Sequence, residues 1–511
     1  MSDASRVSMS HTSFVKIGRL IAIAALSTIV SGHVGSPDVF FAGKAGPYDV
    51  RVVVRPPQVV PGIARVTVRA PGDVERVSIR PVFWRAGSKG APSADETRRL
   101  EGQAGTFEGS LWLMARGAYT VDVAVDGARG TGSVLVPVAS VATGRLAMSP
   151  ILAGLLAVFG LVLCAGLVNI VYKGAGESLV GATGDLDPSR RRSARRAAAI
   201  AVPIVGLAVF GGASWWGNVD GDYERTMYRP SPLILSLRGA ELQLQASDTV
   251  WQVGRPSALV PDHGKLMHLF LVRAEDARAF AHLHPLALDS SANPPFRTAL
   301  PPLPGGSYHV FGDVVHQTGF ERTLVGTLTL PSQQVSAGRT RTDADDAWYS
   351  GHASRGGSAV LDDGTTMDLE VNPAGAISAG QEVAIRVRVR DSNGNIVPLE
   401  PYLGMRAHAV VVRSDGQVFV HLHPMGTITV ASQQAFMARD RGDTTAGGRV
   451  QLDAAHAAHS DAMPAAPDPV EFPYEFPKSG DYHLFAQVKR NGRILTGAFA
   501  LTVGEPVSPK R

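Results

Sequence analysis

Two copies of one motif, His282-Leu283-His284-Pro285 and His421-Leu422-His423-Pro424, bring imidazoles together in pairs. Each copy ends an apolar run that begins with a further histidine, His268 in the first and His408 in the second. In a strand, alternate residues share a face, so His421 and His423 point the same way. Asp415-Gly416 between two runs of β-formers is a strong hairpin signal. A two-residue loop there pairs Ser414 with Gln417 and sets His408 opposite His423, with Cβ atoms roughly 5 Å apart. The first copy has one more loop residue and brings His268 to His282 and His284 in the same manner. Each hairpin thus carries three imidazoles on one face.

Three neutral imidazoles on a rigid scaffold suit first-row divalent ions. Nitrogen donors without thiolates favour Cu(II), Zn(II) or Ni(II), and copper leads on affinity. Met267, Met405 and Met425 flank the motifs, where packing is their ordinary role. The plain alternative is that the histidines are solvated or bonded to nearby backbone.

An internal repeat adds a fourth position. Gly117-Ala118-Tyr119-Thr120, Gly306-Ser307-Tyr308-His309 and Gly480-Asp481-Tyr482-His483 recur near the ends of three β-rich segments. The tyrosine fits a tyrosine corner of an immunoglobulin-like sandwich. The following histidine occurs only in the two segments that also hold the motif. The expected sites are therefore His268, His282, His284 and His309, and His408, His421, His423 and His483.

The elements that would hold these residues follow from composition and pattern. The chain has 511 residues, with 55 glycines and 34 prolines among short runs of valine, isoleucine and threonine. That is the composition of a mainly β protein, read here as three immunoglobulin-like β-sandwiches plus transmembrane helices. Residues 33–140 make the first sandwich, 232–331 the second and 366–504 the third. Residues 332–365 read as a linker, and 439–469 as an irregular insertion. Residues 1–32 hold an apolar stretch that is either a signal peptide or an anchor. Residues 146–172 and 197–217 are long and apolar enough to span a bilayer.

The loop at 173–196 carries Lys173, Arg190, Arg191, Arg192, Arg195 and Arg196, which the positive-inside rule assigns to the cytoplasm. The soluble parts are then expected on the far side of a bacterial cytoplasmic membrane, in the periplasm or at the cell exterior. A net charge of +4 argues against nucleic acid as the main partner. One cysteine, Cys164, excludes an intrachain disulfide framework and a thiolate-rich metal site.

The run Gly32 to Phe41, with Gly46-Pro47-Tyr48 and Val52-Val53-Val54-Arg55-Pro56-Pro57, resembles a family of poorly characterised bacterial membrane proteins. The segment ending in Gly117-Ala118-Tyr119 is similar to YtkA/FixH-type immunoglobulin-like domains. The two motif-bearing segments resemble secreted bacterial repeats with the same signature. The YtkA/FixH resemblance implies copper handling or respiratory-oxidase maturation.

The expected function is thus extracytoplasmic binding of copper or zinc, with the lipid bilayer and a membrane oxidase or metal-efflux component as partners. A non-metal adhesion or assembly module is the rival from another class, and a copper-dependent oxidoreductase comes third. No nucleophile elbow, phosphate loop or HExxH helix supports an enzyme. His33, as a mature N-terminus, and His456, His459 and Met463 in the insertion are weaker metal candidates. Asp262, His263 and His316 have no counterpart in the second copy and are read as outer residues.

Overall fold

The structure is a computed structural model that describes residues 33–34, 38–176, 188–247, 257–331, 341–443, 450 and 469–506. The protein is mainly β, with two long apolar helices. The reading of residues 1–32 and the candidates His456, His459 and Met463 lie outside the described residues, save the short strand His33–Val34.

The first sandwich packs the sheet built on Val39–Ala45, Tyr48–Arg55, Gly62–Arg69 and Thr106–Leu113 against a second sheet. The second is built on Val74–Phe83, Gly117–Gly127 and Gly130–Ser140. Alternation sets the core: Val50, Val52, Val66 and Val68 face Val77, Ile79, Val121 and Val123 across the interior. From this sandwich the chain enters α1 (Pro150–Gly176) and returns along α2 (Pro188–Arg225), which carries Pro203 within it. Both helices are long and apolar enough to cross a membrane.

Just past α2, the Tyr228 amide donates to the Ala142 carbonyl at 2.7 Å, and Arg145 pairs with Glu224 at 3.0 Å. The segments that leave the first sandwich and enter the second therefore meet at one end of the helical pair.

In each histidine-bearing repeat the central sheet is formed by a hairpin beside two long strands. The first uses His268–Arg273, Ala279–Leu283, Gly306–His316 and Glu321–Leu330. The second uses Ala407–Arg413, Val418–Leu422, Gly480–Arg490 and Arg493–Gly504. One face of each sheet fills its own sandwich core, with Leu269, Leu271, Ala281 and Leu283 in the first and Ala409, Val411, Val420 and Leu422 in the second. The other face is buried too, because the two repeats pack against each other through it.

Phe280 stacks on Phe485 with ring centroids 4.3 Å apart, and Phe311 on Phe419 at 4.1 Å. These contacts are one contact with the roles of the repeats exchanged. Within one chain, the pair mimics an isologous dimer interface.

Three segments differ from the sequence reading. Of the basic stretch 173–196, read as a loop, Lys173 belongs to α1, and Arg190, Arg191, Arg192, Arg195 and Arg196 belong to the first turns of α2. Residues 332–365 are not simply a linker: Ala347–Ser350 extends the first repeat's sheet beside Ala279–His282, and Ser358–Val360 begins a sheet of the second. A helix, α3 (Val430–Arg441), runs into the first residues of the stretch 439–469 read as irregular. Its N-cap Thr429 accepts from the Ser432 amide, and its C-cap Gly442 adopts a left-handed conformation.

Candidate metal centre

The hairpin registers are those expected from the turn. Val410 lies opposite His421 and Ala409 opposite Leu422, a register that sets His408 opposite His423. In the first repeat Phe270 lies opposite His282 and Leu269 opposite Leu283, so His268 faces His284. The period of two does the rest, turning all six imidazoles away from the sandwich cores.

What the sequence did not show is that these faces meet. Rings within the first trio are 4.6–5.4 Å apart, centroid to centroid, and those of the second 4.5–5.4 Å. Across the interface His421 lies 5.4 Å from His268 and 5.6 Å from His282. Two separate hairpin sites have become one cluster.

A seventh ring joins them. His263 sits 5.5 Å from His408 and 5.4 Å from His423, with its side chain 3% exposed. Two groups have ligand nitrogens within 4.8 Å of one another: His268, His282 and His284, and His263, His408 and His423. His421 bridges the two. The sequence held a signal for His263. Asp262-His263-Gly264 precedes His268 at the spacing at which Tyr402-Leu403-Gly404 precedes His408. Both form tight turns with a positive φ, 51° at His263 and 50° at Leu403.

Outer contacts orient the rings. The backbone amide of His284 donates to Asp346, and its ring Nδ1 lies 3.1 Å from the same carboxylate oxygen. His423 Nδ1 donates to the Ile428 carbonyl at 3.0 Å. Each of these rings is thereby fixed with Nε2 turned inward, the arrangement that metal-bound histidines use.

His268 Nε2 donates to the Asp262 carbonyl at 3.2 Å, and its Nδ1 lies 3.1 Å from His282 Nε2. His282 Nδ1 is met by the Gln487 side chain at 2.8 Å and the Tyr402 hydroxyl at 3.2 Å. Among the described residues, Nε2 of His263, His284, His421 and His423 and both ring nitrogens of His408 are buried without a hydrogen-bond partner.

Burial holds His268, His282, His408 and His421 well below the ordinary imidazole pKa, with neighbouring histidines adding to the shift. It lowers His423 to about 4. Removing charged groups from water is the physical cause, and it leaves the rings neutral at neutral pH.

One side of the cluster borders a cavity of about 440 Å³ between the three sandwiches, lined in part by Asp262, His268, Asp313, Glu321, His421 and His423. Burial pushes Asp313 and Glu321 each up to about 7. Glu321 accepts from the amide and hydroxyl of Thr429 at the start of α3.

His309 and His483 are not brought to the cluster. His309 lies opposite Val272 and Asp313 opposite His268, four residues or roughly 13 Å along the strand. His309 instead packs on the Asp415-Gly416 turn of the other repeat, so closely that a Cβ at Gly416 would meet its ring at 2.7 Å. His483, opposite Val412, occupies the matching register position, and burial lowers its pKa.

The three methionines also lie apart from the rings. Met267 is in the first repeat's core, Met425 packs on the core of the first sandwich, and Met405 closes the Tyr402 turn. His316 is buried elsewhere, its Nδ1 donating to the Ser257 carbonyl at 2.8 Å.

Residues 235–330 and 359–505 match the family described as Domain of unknown function (DUF8832). The match takes in both histidine repeats. No curated protein matches the chain. Among solved structures, a tetra-tandem repeat from the extending region of a large adhesion protein is 10% identical, covering 87% of this chain and 71% of that one at a TM-score of 0.14. Dimeric latent PorU from Porphyromonas gingivalis is 8% identical, covering 92% and 34% at 0.13. An ICAM-5 D1–D4 ectodomain fragment is 8% identical, covering 90% and 77% at 0.16. At these TM-scores the likeness carries no argument about function.

Proposed function

We propose that this is a membrane-anchored extracytoplasmic protein that binds a transition metal, copper or zinc, in the histidine cluster between its two repeats. The supporting observation is the set of buried imidazole nitrogens without partners, on rings whose outer nitrogens are held by Asp346 and the Ile428 carbonyl. A buried polar atom left unpaired costs about 1–3 kcal/mol, and several in one cluster are a standing cost that an ion offsets. The donors are all imidazole, which suits Cu(II) or Zn(II) and excludes a hard-cation site. The protein's own part is to hold neutral rings in place and keep competing ligands out.

The arginines that open α2, Arg190 to Arg196, favour a cytoplasmic location for that end of the helical pair and an extracytoplasmic one for the sandwiches. A buffering or delivery role toward a membrane oxidase or efflux component accords with that placement. The test is metal content of the detergent-solubilised full chain after loading with copper or zinc. Wild type is expected to retain metal through dialysis, and the variant His282→Ala/His284→Ala/His421→Ala/His423→Ala to lose it. Equal retention by both would remove the reading.

A further inference from the structure

We infer that the cluster holds two ions in unequal sites, an enclosed one on His268, His282 and His284 and an exchangeable one completed by His263 with His408 and His423. This deepens the metal-binding reading and rests on it. The reasoning starts from the exchange of roles between the repeats. The aromatic contacts, the hairpin registers and the two tight turns all repeat from one half to the other. Against that background the departures are informative.

The turn residues Asp262, His263 and Lys265 of the first repeat stand where the second has Tyr402, Leu403 and Met405. Opposite the leading histidine, Asp313 of the first repeat stands where the second has Gln487. The substitutions sort by side. Gln487 and Tyr402 both lie against His282, and Asp346 holds His284, so the first trio is closed in by side chains.

Around the second trio lie His263, Asp262 and, facing His421 at 3.8 Å, Asp313. Here His263, His408, His421 and His423 each keep an unpartnered ring nitrogen, whereas in the first trio only Nε2 of His284 does and both nitrogens of His268 and of His282 are engaged. The cavity reaches each group through one ligand, His268 of the first and His423 of the second, with His421 between them. What separates the two is the hydrogen-bonded shell: an ion on the first group must displace it, whereas one on the second meets unpartnered nitrogens.

The substitution His263→Leu tests this, because Leu403 already occupies the same turn position with nearly the same φ. His263→Asn, suited to a left-handed position, serves if the leucine variant misfolds. Zinc-loaded full chain is mixed with excess chromophoric chelator, and release is followed in time. Wild type is expected to yield two equivalents in two phases at least about tenfold apart in rate, the scale on which outer-shell contacts alter metal retention. The His263 variant should yield one equivalent, released in the slow phase.

A single phase from wild type, or both phases intact in the variant, overturns the inference while leaving metal binding in place. A wild type that takes up no zinc or copper removes the underlying reading as well.

Discussion

At the residue scale, the consequence of this interior is that its ionisable groups constrain one another. His316, away from the cluster, is lowered to about 4 by burial, against an ordinary value near 6.5. The unfolded chain therefore binds the proton first. Its contribution to stability is complete above about pH 6.5 and is lost as pH falls toward 4. Glu321 is shifted the other way, raised from 4.5 to about 7 by burial against the bonds from Thr429. Its neutral form suits the fold, so its contribution is complete below about 4.5 and is lost as pH rises through 7. Between about pH 4.5 and 7 the two contributions therefore run in opposite directions. Glu321→Gln is expected to raise the thermal midpoint of the metal-free protein, relative to wild type, more at about pH 7 than at about pH 4.5. An equal difference at both pH values would show that Glu321 carries no pH-dependent stability.

The histidine trios were legible at this scale because strand alternation and one turn fix them. For His263 the repeat spacing marked the turn but not the role, because nothing local distinguishes a turn histidine facing solvent from one facing a second sheet. Asp346 escaped for a similar reason: it lies in a polar stretch whose short strand Ala347–Ser350 depends on an edge supplied by Ala279–Leu283.

At the element scale, the hairpins are held in place by the mutual packing of their outer faces. Phe311 and Phe280 each stack on a phenylalanine of the other repeat. Phe280→Ala is expected to cost about 3–5 kcal/mol, as for other buried aromatic truncations, and to weaken metal retention as well. Denaturant unfolding of the metal-free protein measures the first, and equilibrium competition with a chelator the second. Loss of stability with unaltered retention would separate the interface from the centre.

The Asp415-Gly416 turn makes a second demand. Gly416 has φ 70° and lies directly under the His309 ring, so Gly416→Ala meets both backbone strain and a steric clash. About 1–3 kcal/mol of destabilisation is expected, and His309→Ala should relieve part of it in the double variant. Additive effects would deny that contact. The turn itself could be read from Asp-Gly, whereas the ring above it could not. The shared presence of His309 and His483 with the motifs suggested a ligand role, but each stands four residues along the strand from the position facing the leading histidine, and His309 packs on the opposite repeat's turn. α3 had readable caps in Thr429 and Gly442, yet few of its side chains give a helical apolar stripe, because its burial comes from two other sandwiches.

At the scale of the whole molecule, the repeats resemble two subunits joined in sequence, with the first sandwich and the helical pair fastened to them. The edge strand Val39–Ala45 reaches the segment after the second motif, where the Ala42 amide donates to the Met425 carbonyl and that of Thr427 to the Phe40 carbonyl. The mainly β class and the two long apolar helices were legible from composition and hydropathy. The docking was not, because it pairs faces more than a hundred residues apart in the chain. The two repeats are expected to unfold in one transition that shifts upward when zinc or copper is added, since an ion on His263, His408 and His423 is held by both repeats and stabilises only their docked state. Two separate transitions, one of them indifferent to metal, would mean that one repeat alone holds the metal.

The most direct test of the shared centre is X-ray absorption at the metal edge of the loaded, full-length protein. The account requires a first shell of nitrogen or oxygen near 2.0–2.1 Å, with the outer scattering of several imidazoles per ion and no sulfur. A shell with sulfur, or one dominated by oxygen without imidazole scattering, would contradict it.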